Sequence, residues 1–351
     1  MKPFLMGLTA VLLFAHLPLY ADPREEDLGT VELSTNASDT EEQQFKKVME
    51  ADDAALDEVN GWIQENNAFT AQGAGESKDT LNKRIWAQLN TVRTNYMQFL
   101  ARYPTNAPAY LAYGSFLNDI GDEEGASVQY EKSRQLDPKN PAAWNDLANY
   151  YGENSPVTNA FAYYAKASEL DPTEPVYYEN WATTVYLFRK DAREFYNINE
   201  AQVFDKALAL YRKAIQLAPN DFTLRTDYAE SYYGIKPLRT NDALVAWTNA
   251  LSVAQDEVQR EGVYIHLARV KVIIGRYSEA QAYLDAVTND NYAAIKKTIQ
   301  RNLNNGKNGI TNPTGAPAIL SLSGTNAPLT AIHNISDPTN VAGATSGQKL
   351  P

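Results

Sequence analysis

Aromatic and small residues recur in this chain with a period of 34 residues, and this repeat constrains the fold more than any other feature of the sequence. One copy reads Trp144, Leu147, Ala148, Tyr151, Ala160, Tyr164, Ala167 and Pro172. The copy one period earlier reads Tyr110, Tyr113, Gly114, Leu117, Ala126, Tyr130, Ser133 and Pro138. Each half of the pattern has helical spacing, and proline ends the second half because it cannot donate a helical hydrogen bond. The sequence therefore predicts a stack of helical hairpins.

Three more copies follow, so five repeats are expected between residues 107 and 290. The predicted bounds are 107–140, 141–174, 175–221, 222–260 and 261–290. The third copy opens with Trp181 and Ala182, but its second half resumes only at Ala207 because residues 189–201 are inserted between the two predicted helices. One hairpin is too small to bury its own apolar stripe, so neighbouring hairpins must stack to form a continuous core.

This pattern resembles the tetratricopeptide repeat, a helix-turn-helix unit with the same aromatic, small-residue and proline positions. Residues 116–126 and 188–196 are also similar to a group of exported bacterial repeat proteins. The resemblance implies an all-α fold, a right-handed solenoid of antiparallel helix pairs with flanking capping helices and disordered ends. It also implies a role in binding proteins or peptides and in scaffolding.

The flanking segments differ in character from the repeats. The predicted segments are a signal peptide at 1–21, an acidic disordered arm at 22–40, capping helices at 41–106, a rear capping helix at 291–304 and a disordered tail at 305–351. The apolar run after Lys2 is short for a membrane span, and a small residue, Ala21, precedes the polar sequence. Cleavage and export to the periplasm or the cell exterior are therefore expected, with no membrane span left; a retained membrane anchor is the alternative.

Charge and composition exclude several classes of function. Residues 22–66 hold fourteen acidic and three basic residues, which accounts for most of the net charge of −12. Because the chain has no basic stripe to displace counterions from phosphates, nucleic acid is not an expected partner. The chain has no cysteine and three histidines, of which only His266 lies in the repeats, where a structural role is expected. No catalytic site, metal site or cofactor is predicted, because no zinc, phosphate-loop or nucleophile-elbow motif occurs.

The first helix of each repeat is expected to line a concave groove. Positions just after the leading aromatic residue and four residues further on share one face of that helix. The predicted peptide-binding residues are Asn145, Asn149, Glu179, Thr183, Tyr186, Thr226, Glu230 and Arg269. Asparagine can donate to and accept from an extended peptide backbone. A merely hydrated groove is the alternative interpretation.

The charge of the groove indicates which segments would bind there. One subclass of tetratricopeptide-repeat proteins clamps chaperone carboxylates with lysine, asparagine and arginine. In this chain the corresponding lysine positions hold Leu111, Glu179 and Thr226. A neutral or basic segment of a protein or peptide is therefore the expected partner.

The insertion predicts a second interaction patch at one edge of the stack. Residues 189–201 and the turn at 234–239 should be neighbours, and they bring Phe195, Tyr196, Ile198 and Leu238 to that edge. These side chains either pack on one another or contact another protein.

The sequence thus predicts an exported scaffold or adaptor protein in envelope assembly, with a protein or peptide in its groove. Two alternatives remain open. A non-catalytic helper subunit of an envelope enzyme would bind a glycan, with Tyr186 and Tyr233 stacking on sugar rings and Glu179 and Glu230 contacting it. A self-assembling structural protein would stack an uncapped end on another copy, forming a homo-oligomer.

Overall fold

The computed structural model describes residues 39–309, and within this range the chain is helical without a β-strand. The α-helices are α1 (Glu41–Ala71), α2 (Lys78–Arg102), α3 (Ala107–Asp119), α4 (Glu123–Leu136), α5 (Pro141–Glu153), α6 (Val157–Leu170), α7 (Pro175–Leu187), α8 (Arg189–Tyr196), α9 (Glu200–Leu217), α10 (Phe222–Ser231), α11 (Thr240–Leu251), α12 (Glu257–Ile273), α13 (Tyr277–Asp285) and α14 (Ala293–Lys307). There are also two short 3-10 helices. Tyr232–Gly234 follows α10 and precedes the turn before α11, and Asp290–Tyr292 directly precedes α14. The predicted all-α fold of helix pairs with flanking helices is confirmed.

The described residues divide into two compact units, 39–172 and 173–309. The first unit contains α1 to α6, and the second contains α7 to α14. The division falls after Pro172, two residues before the predicted end of the second repeat. Each unit has its own buried core, so the five repeats that look alike in sequence are divided between two structural units.

Helix ends follow from local sequence. The side chain of Asn106 accepts a hydrogen bond from the backbone N–H of Ala109, and Asn140 accepts one from Ala142. Both asparagines precede a helix that has proline in its first turn. Proline is tolerated there because the N–H groups of the first turn form no hydrogen bond within the helix. Between α3 and α4 the chain turns at Gly121 with φ of 82°, a left-handed conformation that glycine adopts without strain.

The two helices of each hairpin pack through the predicted periodic positions. The large side chains of the second helices are Tyr130, Tyr164, Tyr211, Trp247 and Leu284, and all five are buried. In the first hairpin the approach is closest at Gly114, where an added Cβ would lie 2.5 Å from the ring of Tyr130. The corresponding alanines of the other hairpins, Ala148, Ala182, Ala229 and Ala268, have no exposed surface. The repeat pattern therefore encodes the interior of each hairpin.

Helices α1 and α2 form a hairpin that also contacts α3, in the first unit. The rings of Phe45 and Phe99 lie 5.5 Å apart, and the hydroxyl of Tyr96 donates to Asp52 at 2.8 Å. In the second unit, α14 covers α12 and α13 with the buried side chains Ile299 and Leu303. Helix α14 continues to Lys307, three residues beyond the predicted end of the rear cap.

The insertion of the third repeat is itself helical. Residues Arg189–Tyr196 form α8, and Asn197 then adopts a left-handed conformation with φ of 51°. Asn199 begins α9 by accepting a hydrogen bond from the backbone N–H of Gln202. The insertion thus adds a short helix between α7 and α9, which pack against each other as the pair of this repeat.

The predicted signal peptide, almost all of the predicted acidic arm and most of the predicted C-terminal tail lie outside the described residues. Among residues 39–309, no helix has both the length and the apolar character needed to cross a membrane.

Candidate functional site

Six predicted groove residues lie in the second unit, and helices α7, α10 and α12 supply them. These residues, called the strip below, are Glu179, Thr183, Tyr186, Thr226, Glu230 and Arg269. At one end of the strip the ring of Tyr186 packs over Gly234, where an added Cβ would lie 2.5 Å from the tyrosine oxygen. A side chain at residue 234 would displace that ring. This contact joins α7 to the turn that follows α10.

A buried polar cluster continues the strip from α10 to α12. The carboxylate of Glu230 lies 3.8 Å from Nε2 of His266, and both side chains are almost fully buried. The imidazole stacks on Trp247 with ring centroids 4.0 Å apart, and its Nδ1 lies 3.2 Å from the hydroxyl of Tyr233. His266 is thus held by a hydrogen bond and by ring stacking, in a position that links three helical elements.

Arg269 and Tyr233 are the partly exposed members of this region. The guanidinium carbon of Arg269 lies 4.1 Å from the centre of the Tyr233 ring, within the range of a cation–π interaction. Burial raises the pKa of Tyr233; the nearby guanidinium of Arg269 opposes this rise, and Glu230 adds to it. One face of Tyr233 is therefore already covered by arginine, and Tyr186 is buried, which disfavours the predicted stacking of sugar rings on these two tyrosines.

The two threonines of the strip are engaged within the unit. The hydroxyls of Thr183 and Tyr211 lie 2.8 Å apart and share a hydrogen bond, and Thr226 donates to the backbone carbonyl of Thr223 at 2.8 Å. Both threonines are buried. Both threonine hydroxyls are therefore occupied by hydrogen bonds within the unit, and little of either side chain reaches the solvent.

Glu179, also on α7, has an unusual environment. Its side chain lies in the second unit with 7% of the residue surface exposed. Burial raises the pKa of its carboxyl to about 8, and the carboxyl groups of Asp227 and Asp221 add to the rise. A carboxyl in these surroundings is mostly protonated at neutral pH, because the charged form would be both desolvated and repelled.

The two predicted asparagines lie in the first unit, on α5. The side-chain amide of Asn145 donates to Asp146 at 3.1 Å, and the carbonyl oxygen of Asn149 accepts from the hydroxyl of Tyr164 at 2.8 Å. Burial raises the pKa of Asp146 to about 7, an effect that Asn145 opposes by its hydrogen bond. Asn149 thus connects the two helices of its hairpin, and its oxygen is used in the fold.

The second predicted patch is partly integrated into the second unit. The hydroxyl of Tyr196 accepts a hydrogen bond from Nε1 of Trp181 at 2.9 Å, and Nζ of Lys206 lies 4.2 Å from the Tyr196 ring centre. Phe195 is 44% exposed and meets the Tyr196 ring edge to face. Ile198 is half-buried. Tyr196 thus packs on the repeat, and Phe195 projects outward.

The turn at 234–239 lies beside the start of α9, where the insertion also ends. Arg239 donates to the carboxylate of Asp205 on α9 at 2.6 Å, and the neighbouring Leu238 is half-buried. Both segments therefore approach the same end of α9.

Three residues near the strip were not among the predicted binding residues. Trp247 occupies a core position of the repeat pattern, His266 follows the groove position of α12, and Asp227 follows Thr226 on α10. The signal for Asp227 is its adjacency to a groove position. The contact of Trp247 with His266 joins different repeats, and no local pattern would indicate it.

In the described range, 39–309, no group of three or more histidine, aspartate or glutamate residues is arranged to hold a metal ion.

The chain matches no protein-family model and no curated protein sequence. Among solved structures it is similar to YrrB, described as a TPR protein with an unusual peptide-binding site (14% identity, 59% of this chain and 97% of that chain covered, TM-score 0.46). It is also similar to PilW, described as a type IV pilus biogenesis factor (13% identity, coverage of 69% and 98%, TM-score 0.47). A third is part of a TPR repeat-containing protein from Cytophaga hutchinsonii (15% identity, coverage of 72% and 98%, TM-score 0.47).

This chain consists of helix pairs that have small residues where the two helices approach most closely, and its sequence period is 34 residues. Together these features are typical of the tetratricopeptide repeat. The chain has the tetratricopeptide-repeat fold. In such repeats the first helices of successive hairpins lie side by side, and α7, α10 and α12 are the first helices of the second unit.

Proposed function

We propose that this tetratricopeptide-repeat chain is a non-catalytic interaction protein that binds a segment of another protein along the strip of its second unit. The observation that carries the proposal is the continuity of the strip across three repeats. Tyr186 reaches Gly234 beyond α10, and Glu230 on α10 reaches His266 on α12. A row of groove positions that crosses successive repeats, with Arg269 and Tyr233 as its partly exposed part, suits an extended segment better than a compact small molecule.

The chemistry of the strip also supports a protein segment as the ligand. Tyrosine and arginine are enriched among residues that dominate binding energy at protein interfaces, because they combine apolar area with hydrogen bonding. Arg269 and Tyr233 are the partly exposed pair of this type, and the buried residues beneath hold them in place. Binding would therefore begin at this pair and extend toward α7.

The charge of the strip favours a neutral or basic segment. Glu230 is a buried acidic member of the strip, Asp227 lies next to it, and Glu179 adds a negative charge when it is ionised. An acidic ligand would meet repulsion in a region of low dielectric, where unscreened charges interact strongly. This proposal keeps Asn145 and Asn149 of the first unit as further binding residues, to be tested separately.

The cellular role that we propose is that of an exported scaffold or adaptor in envelope assembly. Its support is the sequence of residues 1–21, with Lys2, an uncharged apolar run and the small residue Ala21. Mass spectrometry of the protein from fractionated cells tests this part: a mature N-terminus at Asp22 in an envelope or extracellular fraction supports export. An uncleaved chain in the cytoplasm would contradict it.

Selection from a phage library of random decapeptides against the full chain tests the binding proposal. We expect enriched peptides that bind the wild type and lose affinity by about tenfold or more in Arg269→Ala, as hot-spot arginines do. The matched control is Arg301→Ala, which removes an exposed arginine from α14. Circular dichroism verifies that both variants keep their helicity. A library that yields no peptide above background, or equal binding by the two variants, contradicts the proposal.

A further inference from the structure

Glu179 is a buried carboxyl group whose titratable neighbours are acidic. The groups that face it are the carboxyl of Asp227 on α10, the carboxyl of Asp221, which caps the start of α10, and the hydroxyl of Tyr211 on α9. Thr183, one turn further along α7, shares its hydroxyl hydrogen bond with Tyr211. Within residues 39–309, Glu179 itself accepts no side-chain hydrogen bond and forms no ion pair.

A buried carboxylate without a hydrogen bond or a counter-ion is strongly destabilising. Two arrangements relieve this cost: the carboxyl keeps a proton, or a positive charge is placed beside it. The raised pKa of about 8 corresponds to the first arrangement in the unbound protein. Because Glu179 belongs to the strip, a bound ligand could place a positive charge beside its carboxylate, which is the second arrangement.

We propose that Glu179 recognises a lysine or arginine side chain of the bound segment, and that the carboxyl releases its proton when this side chain arrives. The inference rests on the proposed function, since it assumes that a protein segment occupies the strip. In the exchange, the ligand's cation pairs with the carboxylate of Glu179, and the proton passes to solvent. No covalent bond changes.

The geometry selects the cationic group. Asp227 is buried beside Glu179, so a single cation entering there interacts favourably with both acidic groups. A long, flexible lysine or arginine side chain carries its charge several bonds away from the backbone, so it reaches a recessed carboxyl while the backbone stays on the surface. A divalent cation is the competing ligand, and calcium chloride titration distinguishes it.

Binding should depend on pH in a direction set by the proton release. With a pKa of about 8, the carboxyl is ionised in roughly one molecule in ten at pH 7, so the apparent affinity should rise about tenfold between pH 7 and pH 9. A lysine side chain keeps its charge over this range, because its usual pKa is about 10.4. Glu179→Gln, which cannot ionise, should show no such rise.

The experiment uses peptides from the decapeptide library selected on the full chain. The comparison includes Glu179→Gln and, as matched control, Glu194→Gln, which neutralises an exposed carboxyl on α8. For the tightest-binding peptide we expect one lysine or arginine whose replacement by norleucine lowers affinity at least tenfold in the wild type and in Glu194→Gln. The same replacement should have little effect in Glu179→Gln.

Calorimetry in two buffers with different ionisation enthalpies counts the released protons. We expect close to one proton released per bound peptide at pH 7 for the wild type and the control, and none for Glu179→Gln. Peptides that bind without a basic residue, or that release a proton equally from Glu179→Gln, would overturn this inference while leaving the proposed function intact. Failure to select any peptide contradicts the proposed function itself, and calcium-dependent proton release without a peptide would assign the site to a metal ion.

Discussion

Replacing Gly114 by alanine tests whether the close approach of the two helices defines the hairpin of the first repeat. A Cβ at residue 114 would lie 2.5 Å from Cδ1 and Cε1 of Tyr130 and 3.2 Å from the carbonyl oxygen of Ala126. The Tyr130 ring is buried, so it has little free space into which to move. The substitution must therefore force the helices apart or push the ring out of its place.

The expected magnitude combines two effects of opposite sign. Overpacking a well-packed interior costs about 1–3 kcal/mol. Replacing a glycine in a helix by alanine gains about 0.5–1 kcal/mol through helix propensity. Gly61→Ala supplies the matched control, because Gly61 lies within α1 of the same unit and an added Cβ there meets no atom within 4 Å. Only the propensity gain applies to the control.

Urea denaturation of the full chain, followed by far-ultraviolet circular dichroism, measures the difference. We expect Gly61→Ala to raise the free energy of unfolding slightly and Gly114→Ala to lower it, with the two variants separated by about 1–3 kcal/mol. Equal midpoints for the two variants would refute the reasoning, because they would mean that the helices are not held together at this contact.

Three further predictions concern the second unit. The pKa of Glu179 is about 8 in the folded protein and 4.5 ordinarily, so its contribution to stability is fully present below pH 4.5 and is lost as the pH rises to 8. In urea titrations the wild type should therefore lose up to about 5 kcal/mol of its free energy of unfolding across this range. Glu179→Gln, which cannot ionise, should not show this loss. Tyr196→Phe should cost about 1 kcal/mol by removing the acceptor of the Trp181 N–H, whereas Phe195→Ser should leave the melting temperature almost unchanged; a large loss in the serine variant would show that Phe195 packs on the fold. Trp247→Ala should cost about 3–5 kcal/mol in chemical denaturation, and a change below 1 kcal/mol would contradict its place in the core.

The interior of each hairpin was predictable because it depends on local periodicity. A helix places residues three and four positions apart on one face, so recurring small and aromatic residues report directly on which face is buried. Gly114 and Tyr130 were identified from spacing alone, and they meet in the structure. The flanking helices α1, α2 and α14 followed from the same kind of pattern outside the repeats.

The environment of the strip was less predictable, because its contacts join distant parts of the chain. The spacing predicted groove positions for Tyr186 and Glu230. It did not indicate that Gly234 would leave room for the Tyr186 ring, or that His266 would lie close to the Glu230 carboxylate. The raised pKa of Glu179 depends on burial, on Asp227 in the next repeat and on Asp221 at the end of its own repeat. Such juxtapositions depend on how hairpins pack, which a helical period does not encode. For the same reason, the division after Pro172 has no marker in the repeat spacing.

The most direct test of the central claim is photo-cross-linking of a library-selected peptide to the full chain. The peptide carries p-benzoylphenylalanine at successive positions, and mass spectrometry identifies the residues that it labels. We predict labels along α7, α10 and α12, including the region of Tyr233 and Arg269. Labels confined to the second helices of the hairpins, α4, α6, α9, α11 and α13, would contradict the proposed binding surface.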